Sequence, residues 1–268
     1  MKHPRPIGVM DEMIVRREYE NSTTNWWIVG RSRLFHTLFH AAPIPHGCKV
    51  LEIGPGAGGN LSVWQFQSSP FLVLADADQV ALNVALTQGP ASGAIIDASR
   101  LPFVNASFHQ ILMGDVLEHL PDDESAMKEV ARVLQPEGLL VLTVPAYQFL
   151  WGQQDKLVGH QRRYRLRQLK KLVLNSGLDI QLVTYINWIM FPIAVGFKLF
   201  MRVLRPRNYS DATSVPQFTN RLLLRIFLFD LSVAQKVRIP FGLSILVVAT
   251  KPTQTSADSR RKKCNHKQ

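Results

Sequence analysis

From residue 49 to residue 145 the chain alternates short apolar runs with segments of helical length, which restricts its fold more than any other feature. Runs at 49–54, 71–76, 93–97, 108–114 and 139–144 read as strands. Segments 58–67, 78–88 and 124–134 between them read as helices, the last opened by Pro121-Asp122-Asp123. Strands separated by helical crossovers build a parallel sheet covered on both faces. A helix at 166–176, closed by Gly177, and strands at 178–186 and 243–250 complete an α/β fold of seven strands.

The flanks read differently. Residues 11–40 carry a helical pattern broken at Asn21-Ser22-Thr23-Thr24, and Pro43 to Gly47 launches the first strand. Between the last two strands, 187–240 is apolar, interrupted by Pro192 and the polar stretch 208–217, and rich in arginine. The expected organisation is a helical cap at 1–45, a core of 46–186 plus 241–251, an inserted helical block at 187–240, and a disordered basic tail at 252–268. Residues 180–197 hold no formally charged side chain, just the length at which a membrane span becomes conceivable. Its polar residues, Pro192 and strand-like first half favour a strand followed by a kinked apolar helix.

Charge is divided unevenly. Residues 1–150 carry 10 Lys+Arg against 15 Asp+Glu, whereas residues 151–268 carry 21 against 5. An acidic-leaning first half joined to a basic, apolar second half suits a catalytic body with a surface for anionic partners. Two cysteines among 268 residues exclude a disulfide scaffold and a cysteine-rich zinc module. The first residues lack the apolar run of a secretory signal, so a reducing cytoplasm is expected. Neither G-x-S-x-G, a Walker loop nor H-E-x-x-H occurs, which argues against hydrolase and NTPase chemistry.

The sharpest local signal is Glu52-Ile53-Gly54-Pro55-Gly56-Ala57-Gly58-Gly59, which ends the first strand. Glycines there let backbone amides approach a ligand closely. The same spacing fits a dinucleotide loop, but Glu52 inside the strand suits a cofactor with a cationic amino-acid end. Asp76 ends the second strand, 22 residues after Gly54, where a carboxylate accepts both ribose hydroxyls. A helix cap is the competing role for Asp76, one that Asp78 serves equally well. Asp97-Ala98 ends the third strand, where a carboxylate is placed either to accept an adenine amine or to shape the turn before Arg100-Leu101-Pro102-Phe103.

With these residues the stretch 49–145 resembles class I S-adenosylmethionine-dependent methyltransferases of the bacterial type that includes ubiquinone-pathway enzymes. The loop 52–58, Asp76, Asp97 with Leu101-Pro102-Phe103, Asp115-Val116-Leu117-Glu118-His119-Leu120, and Arg132 to Gly138 match in order and spacing. Pro55 departs from a usual cysteine, His109 from an aspartate and Glu137 from a glycine. The resemblance implies a Rossmann-like sheet with its last strand antiparallel. It implies S-adenosyl-L-methionine held by Glu52, Gly54, Gly56, Gly58, Asp76, Asp97 and Ala98. Trp26, Arg31, Leu150-Trp151, Asp155 and His160 to Tyr164 look like a subgroup tied to envelope glycan or lipid pathways.

Candidate catalytic groups are Asp115, His119 and His160, placed after the fourth and fifth strands. The cationic run around Arg162, Arg163 and Tyr164, with Trp151 beside it, is a candidate site for a small or lipid-linked, anionic acceptor. Asp115, Glu118 and His119 also resemble an acidic-acidic-histidine cluster that holds a divalent metal in some ubiquinone-pathway O-methyltransferases. The same motif stands in relatives without metal, and none is expected. No nucleic-acid motif accompanies the cations. The block 187–240 is expected to act as a substrate lid that also touches the inner face of an anionic membrane.

Overall fold

The computed structural model describes residues 24–42, 47–64, 71–204 and 216–253. The earlier half of the expected N-terminal helix and nearly all of the basic tail lie outside them. The described chain runs α1 (Trp26–His40), β1 (Lys49–Ile53), β2 (Phe71–Asp76), α2 (Gln79–Leu86), β3 (Ser92–Ile95), β4 (Phe108–Gly114), α3 (Asp123–Val133) and β5 (Leu134–Pro145). Then follow α4 (Gln153–Leu157), α5 (Leu166–Asn175), β6 (Asp179–Ile186), α6 (Phe191–Leu204), α7 (Gln217–Ala234) and β7 (Ser244–Thr250).

The seven strands form one sheet in the order β3-β2-β1-β4-β5-β7-β6. β1 pairs in parallel with both β2 and β4, so the strand order reverses beside β1. β7 enters antiparallel between β5 and β6. Ligands of open α/β sheets bind at the carboxyl ends of the strands flanking such a reversal.

Each face of the sheet is sealed by its own apolar layer. On one face Met127 and Val130 of α3 and Leu169 and Val173 of α5 pack against Leu51, Ile111, Leu140 and Val247. On the other, Leu34, Phe35 and Phe39 of α1 and Phe227 and Leu231 of α7 pack against Val50, Leu112, Val141 and Leu246. The N-terminal helix and the second inserted helix are therefore parts of the core. Asn25 caps α1, its side chain accepting the Trp27 N–H at 2.9 Å.

Three local expectations are corrected. The segment expected as a helix at 58–67 is, in its described part, a turn followed by a single 3-10 turn at Leu61–Val63. Gly58 takes φ +85°, which no helix accommodates. β5 begins five residues early, passing through Pro136-Glu137-Gly138 with Glu137 at φ +64°. Pro192 does not kink α6 but lies in its first turn, where no backbone donor is missed.

Candidate active site

The turn after β1 opens a cavity of about 400 Å³, lined by Gly54, Gly56, Asp76, Asp97, Ala98 and His119 among others. Gly54 stands at φ +67°, and a Cβ there would come 2.5 Å from Val116 Cγ2. A side chain there would both strain the backbone and collide with Val116.

Of the two carboxylates weighed as the cap of α2, Asp78 takes that role, accepting the N–H groups of Val80 at 2.8 Å and Ala81 at 3.3 Å. Asp76 is left facing the cavity, with the Asp78 N–H on its Oδ1 at 2.9 Å. Burial, helped by the charge of Asp78, pushes the Asp76 carboxyl up to about 6. Asp97 is exposed at the cavity mouth and also ties its own turn, accepting the N–H and hydroxyl of Ser99.

Two expected cofactor residues stand behind the wall. Glu52 is 1% exposed, its oxygens taken by Asn60 Nδ2 at 3.0 Å and Trp64 Nε1 at 2.9 Å. Burial raises its carboxyl, opposed by those two hydrogen bonds and by the charge of Arg31. Its described role is to fasten the glycine turn to the segment that follows. Gly58 does not line the cavity either; it shapes the turn, donating its N–H to Pro55.

Beyond β4, Asp115 adopts φ +57° and lines the cavity. Its carboxylate pairs with Arg31, brought over by α1, and accepts the Thr143 hydroxyl at 3.0 Å. His119 lies in a 3-10 turn at Leu117–His119 and faces the same cavity. Burial and the neighbouring His160 hold its imidazole down near 4, so it is neutral at physiological pH. The rings of His119 and His160 meet edge to face with centroids 4.7 Å apart.

Two further carboxylates sit here: Glu118, singled out in the sequence only through its likeness to a metal-holding cluster, and Asp155, given no chemical role there. Glu118 is wholly buried, and neither of its oxygens has a hydrogen-bond partner. Desolvation and the charge of Asp115 push its carboxyl well above the usual range. Asp155, at the start of α4, accepts His160 Nδ1 at 2.8 Å and the Arg163 guanidinium at 2.7 and 3.0 Å. Burial pushes the Asp155 carboxyl up, but those hydrogen bonds and the Arg163 charge outweigh it and hold it far below the ordinary range. The D-x-x-x-x-H-x-x-R spacing from Asp155 to Arg163 was the available signal; only the fold shows that these side chains meet.

The cationic run is not arranged as a free anion site. Arg162 bonds the Pro121 carbonyl at 2.8 Å and pairs with Asp123. Tyr164 is buried, its hydroxyl 2.7 Å from Asp123 Oδ2 and 3.2 Å from the Leu117 carbonyl. Both residues lock the 160–164 loop onto the start of α3, away from either cavity. Arg163 and Trp151 do line a second cavity of about 900 Å³, together with Trp26, Trp27, Phe197 and Lys198. His160 stands between the two spaces: His119 lines the first, while Asp155 and Trp151 line the second.

Comparison with known proteins agrees with this geometry. Residues 51–142 match a family model described as a methyltransferase domain. A ubiquinone biosynthesis O-methyltransferase of Rhizobium etli is 33% identical over half of this chain and 61% of its own length. A demethylmenaquinone methyltransferase of Mycolicibacterium paratuberculosis is 29% identical over 53% of this chain and 60% of its own. The chain thus spans less than two thirds of these relatives. Phosphoethanolamine N-methyltransferase 2 of Haemonchus contortus, solved with S-adenosyl-L-methionine, superposes on 94% of this chain and 63% of its own, with a TM-score of 0.58 at 18% identity. Residues 51–142 thus match a methyltransferase domain, and the sheet around them has a fold shared with solved S-adenosylmethionine-binding methyltransferases.

Proposed function

We propose that the chain transfers a methyl group from S-adenosylmethionine in the first cavity to an oxygen or carbon of a small acceptor in the second. The carrying observation is the cavity at the strand reversal, where Gly54 and Gly56 leave room for a ligand against the backbone and Asp76 is free of capping duty. Asp76 would take the ribose hydroxyls, with Asp97 and the backbone beside Ala98 at the adenine. Glu52 and Gly58 support the loop without touching the ligand. The cofactor supplies an electrophilic methyl carried on a sulfonium.

The protein's own part is alignment and water exclusion. Arg31 and Thr143 hold Asp115 at the cavity wall, and His119 and His160 stand where the acceptor's reacting atom must arrive. The names of the relatives point to quinone-type acceptors, and the aromatic lining of the second cavity suits a flat ring with a lipid or glycan attachment. With Arg162 and Arg163 engaged by protein carboxylates, Lys198, whose ammonium donates to the Leu150 and Trp151 carbonyls, is the cavity cation that would meet an anionic group on it. Calorimetry with S-adenosylmethionine, followed by transfer of a labelled methyl to quinol acceptors, tests the reading. His119→Ala and His160→Ala should lower turnover while leaving cofactor affinity intact; full turnover in both removes the histidines from the chemistry.

The outward faces of α6 and α7 support contact with an anionic membrane surface, where a cytoplasmic protein would rest on the inner leaflet. Ile193, Leu199, Phe200, Phe218, Leu222 and Phe229 are exposed, and Arg221, Arg225, Lys236 and Arg238 are exposed around them. Among the described residues no helix is long and apolar enough to cross a membrane. Apolar side chains edged by cations suit the headgroup boundary.

A further inference from the structure

We propose that Glu118, His119 and His160 form a site for one divalent cation of the Zn²⁺ class, at the wall between the two cavities. One ligand atom from each of the three residues lies within 4.8 Å of the others. His160 Nε2 stands 3.8 Å from Glu118 Oε1. Ligand atoms about 2.0–2.1 Å from a tetrahedral ion sit roughly 3.3 Å apart, a closure within reach of small side-chain rotations.

Three features distinguish this cluster from ordinary packing. A fully buried carboxylate with both oxygens unpartnered is costly, and a bound cation removes that cost. The second feature lies behind His160. Its Nδ1 meets Asp155, which is fixed in turn by Arg163 and by the Gly152 N–H at 2.7 Å. A carboxylate behind one ring nitrogen fixes the tautomer, turning the Nε2 lone pair outward, the usual support of a metal-binding histidine. Without a cation that lone pair faces a carboxylate oxygen.

Third, the two ligand segments are pinned together independently of any ion. The Gln161 N–H donates to the Glu118 carbonyl at 2.6 Å, and the Tyr164 hydroxyl reaches the Leu117 carbonyl. Asp115 is not in the set, being held by Arg31 and Thr143. Two imidazoles and one carboxylate suit a borderline cation better than Mg²⁺, and three protein ligands leave a position open. His119 lines the first cavity, so the open position is placed to take an acceptor oxygen and lower the pKa of its hydroxyl. That use rests on the methyl-transfer reading; the binding of the ion does not.

Untagged full-length protein, stripped with chelator and dialysed against Zn²⁺ or Co²⁺, tests the site by elemental analysis and by the visible bands of four-coordinate Co²⁺. One ion per chain is expected, lost in Glu118→Gln and His160→Ala. Asp155→Asn should weaken binding about 10- to 100-fold through the orientation of His160. S-adenosylmethionine calorimetry on the same variants reports folding and separates failure of this site from failure of the cofactor reading. Stripped wild-type protein that takes up no ion overturns the proposal, as does unchanged stoichiometry and affinity in both ligand variants.

Discussion

Asp76 and Asp78 show how two carboxylates two positions apart acquire different tasks from their surroundings. Asp78 is consumed by the first turn of α2, whereas Asp76 remains an acceptor facing the first cavity. Replacing Asp76 by Ala should weaken cofactor binding by about 1–3 kcal/mol, the cost of lost hydrogen bonds to a charged acceptor. Because burial lifts this carboxyl to about 6, it is partly protonated just below neutrality. Ribose hydroxyls donate to the ionised form, so the cofactor dissociation constant should rise as pH falls from 7 to 5. Binding near pH 6 should release protons, measurable as a buffer-dependent heat, and Asp76→Asn should flatten the profile. The places of Asp76 and Gly54 at the first cavity are legible in the sequence because they follow from position at a strand end. Glu118 and Asp155 are not, because their environment comes from a contact across some 40 residues.

Between elements, the joint of α1 and α7 ties the inserted block to the core. Phe227 of α7 stacks on Trp27 with centroids 5.0 Å apart and meets Trp26 edge-on. Gly30 makes this possible, since a Cβ there would lie 2.3 Å from Phe227 Cδ1. Gly30→Ala should therefore destabilise the protein by about 1–3 kcal/mol through overpacking, despite alanine's better helix propensity. Phe227→Ala should cost about 3–5 kcal/mol. The two effects should not add, because the truncated ring frees the space that the new methyl needs. Thermal unfolding of the single and double variants measures the coupling. Asp230, fully buried on α7, accepts the N–H groups of Asn187 at 2.7 Å and Ile189 at 3.0 Å. It fixes the exit of β6 to the helix that lies over it.

For the molecule as a whole, the inserted block has two faces with different solvents. The inner face of α7 belongs to the core, and its outer stripe, Phe218, Leu222, Arg225 and Phe229, is left to the surroundings together with the exposed side of α6. Each cation near an anionic leaflet contributes about 1 kcal/mol, so four outweigh a weak apolar insertion. Flotation with anionic vesicles should recover the protein at low salt, and the fraction bound should fall as salt is added. Protein that stays with the soluble fraction at low salt removes the membrane contact and leaves only the packing of α7 on the core.

Linear order alone was enough for the layered α/β fold, the glycine turn and the strand-end acids. Each follows from local periodicity or from a backbone conformation that few residues adopt. The departures arose wherever a long-range partner overrode local preference. Asn60 and Trp64 bond Glu52 from the segment that reads as a helix, where a 3-10 turn forms after Gly58. Arg162 and Arg163 look free until Asp123 and Asp155 are brought against them. The apolar block looks like a separate lid until Phe227 meets Trp27 and joins the core. Charge pairing and burial depend on distance through space, and residue order carries no direct measure of that distance.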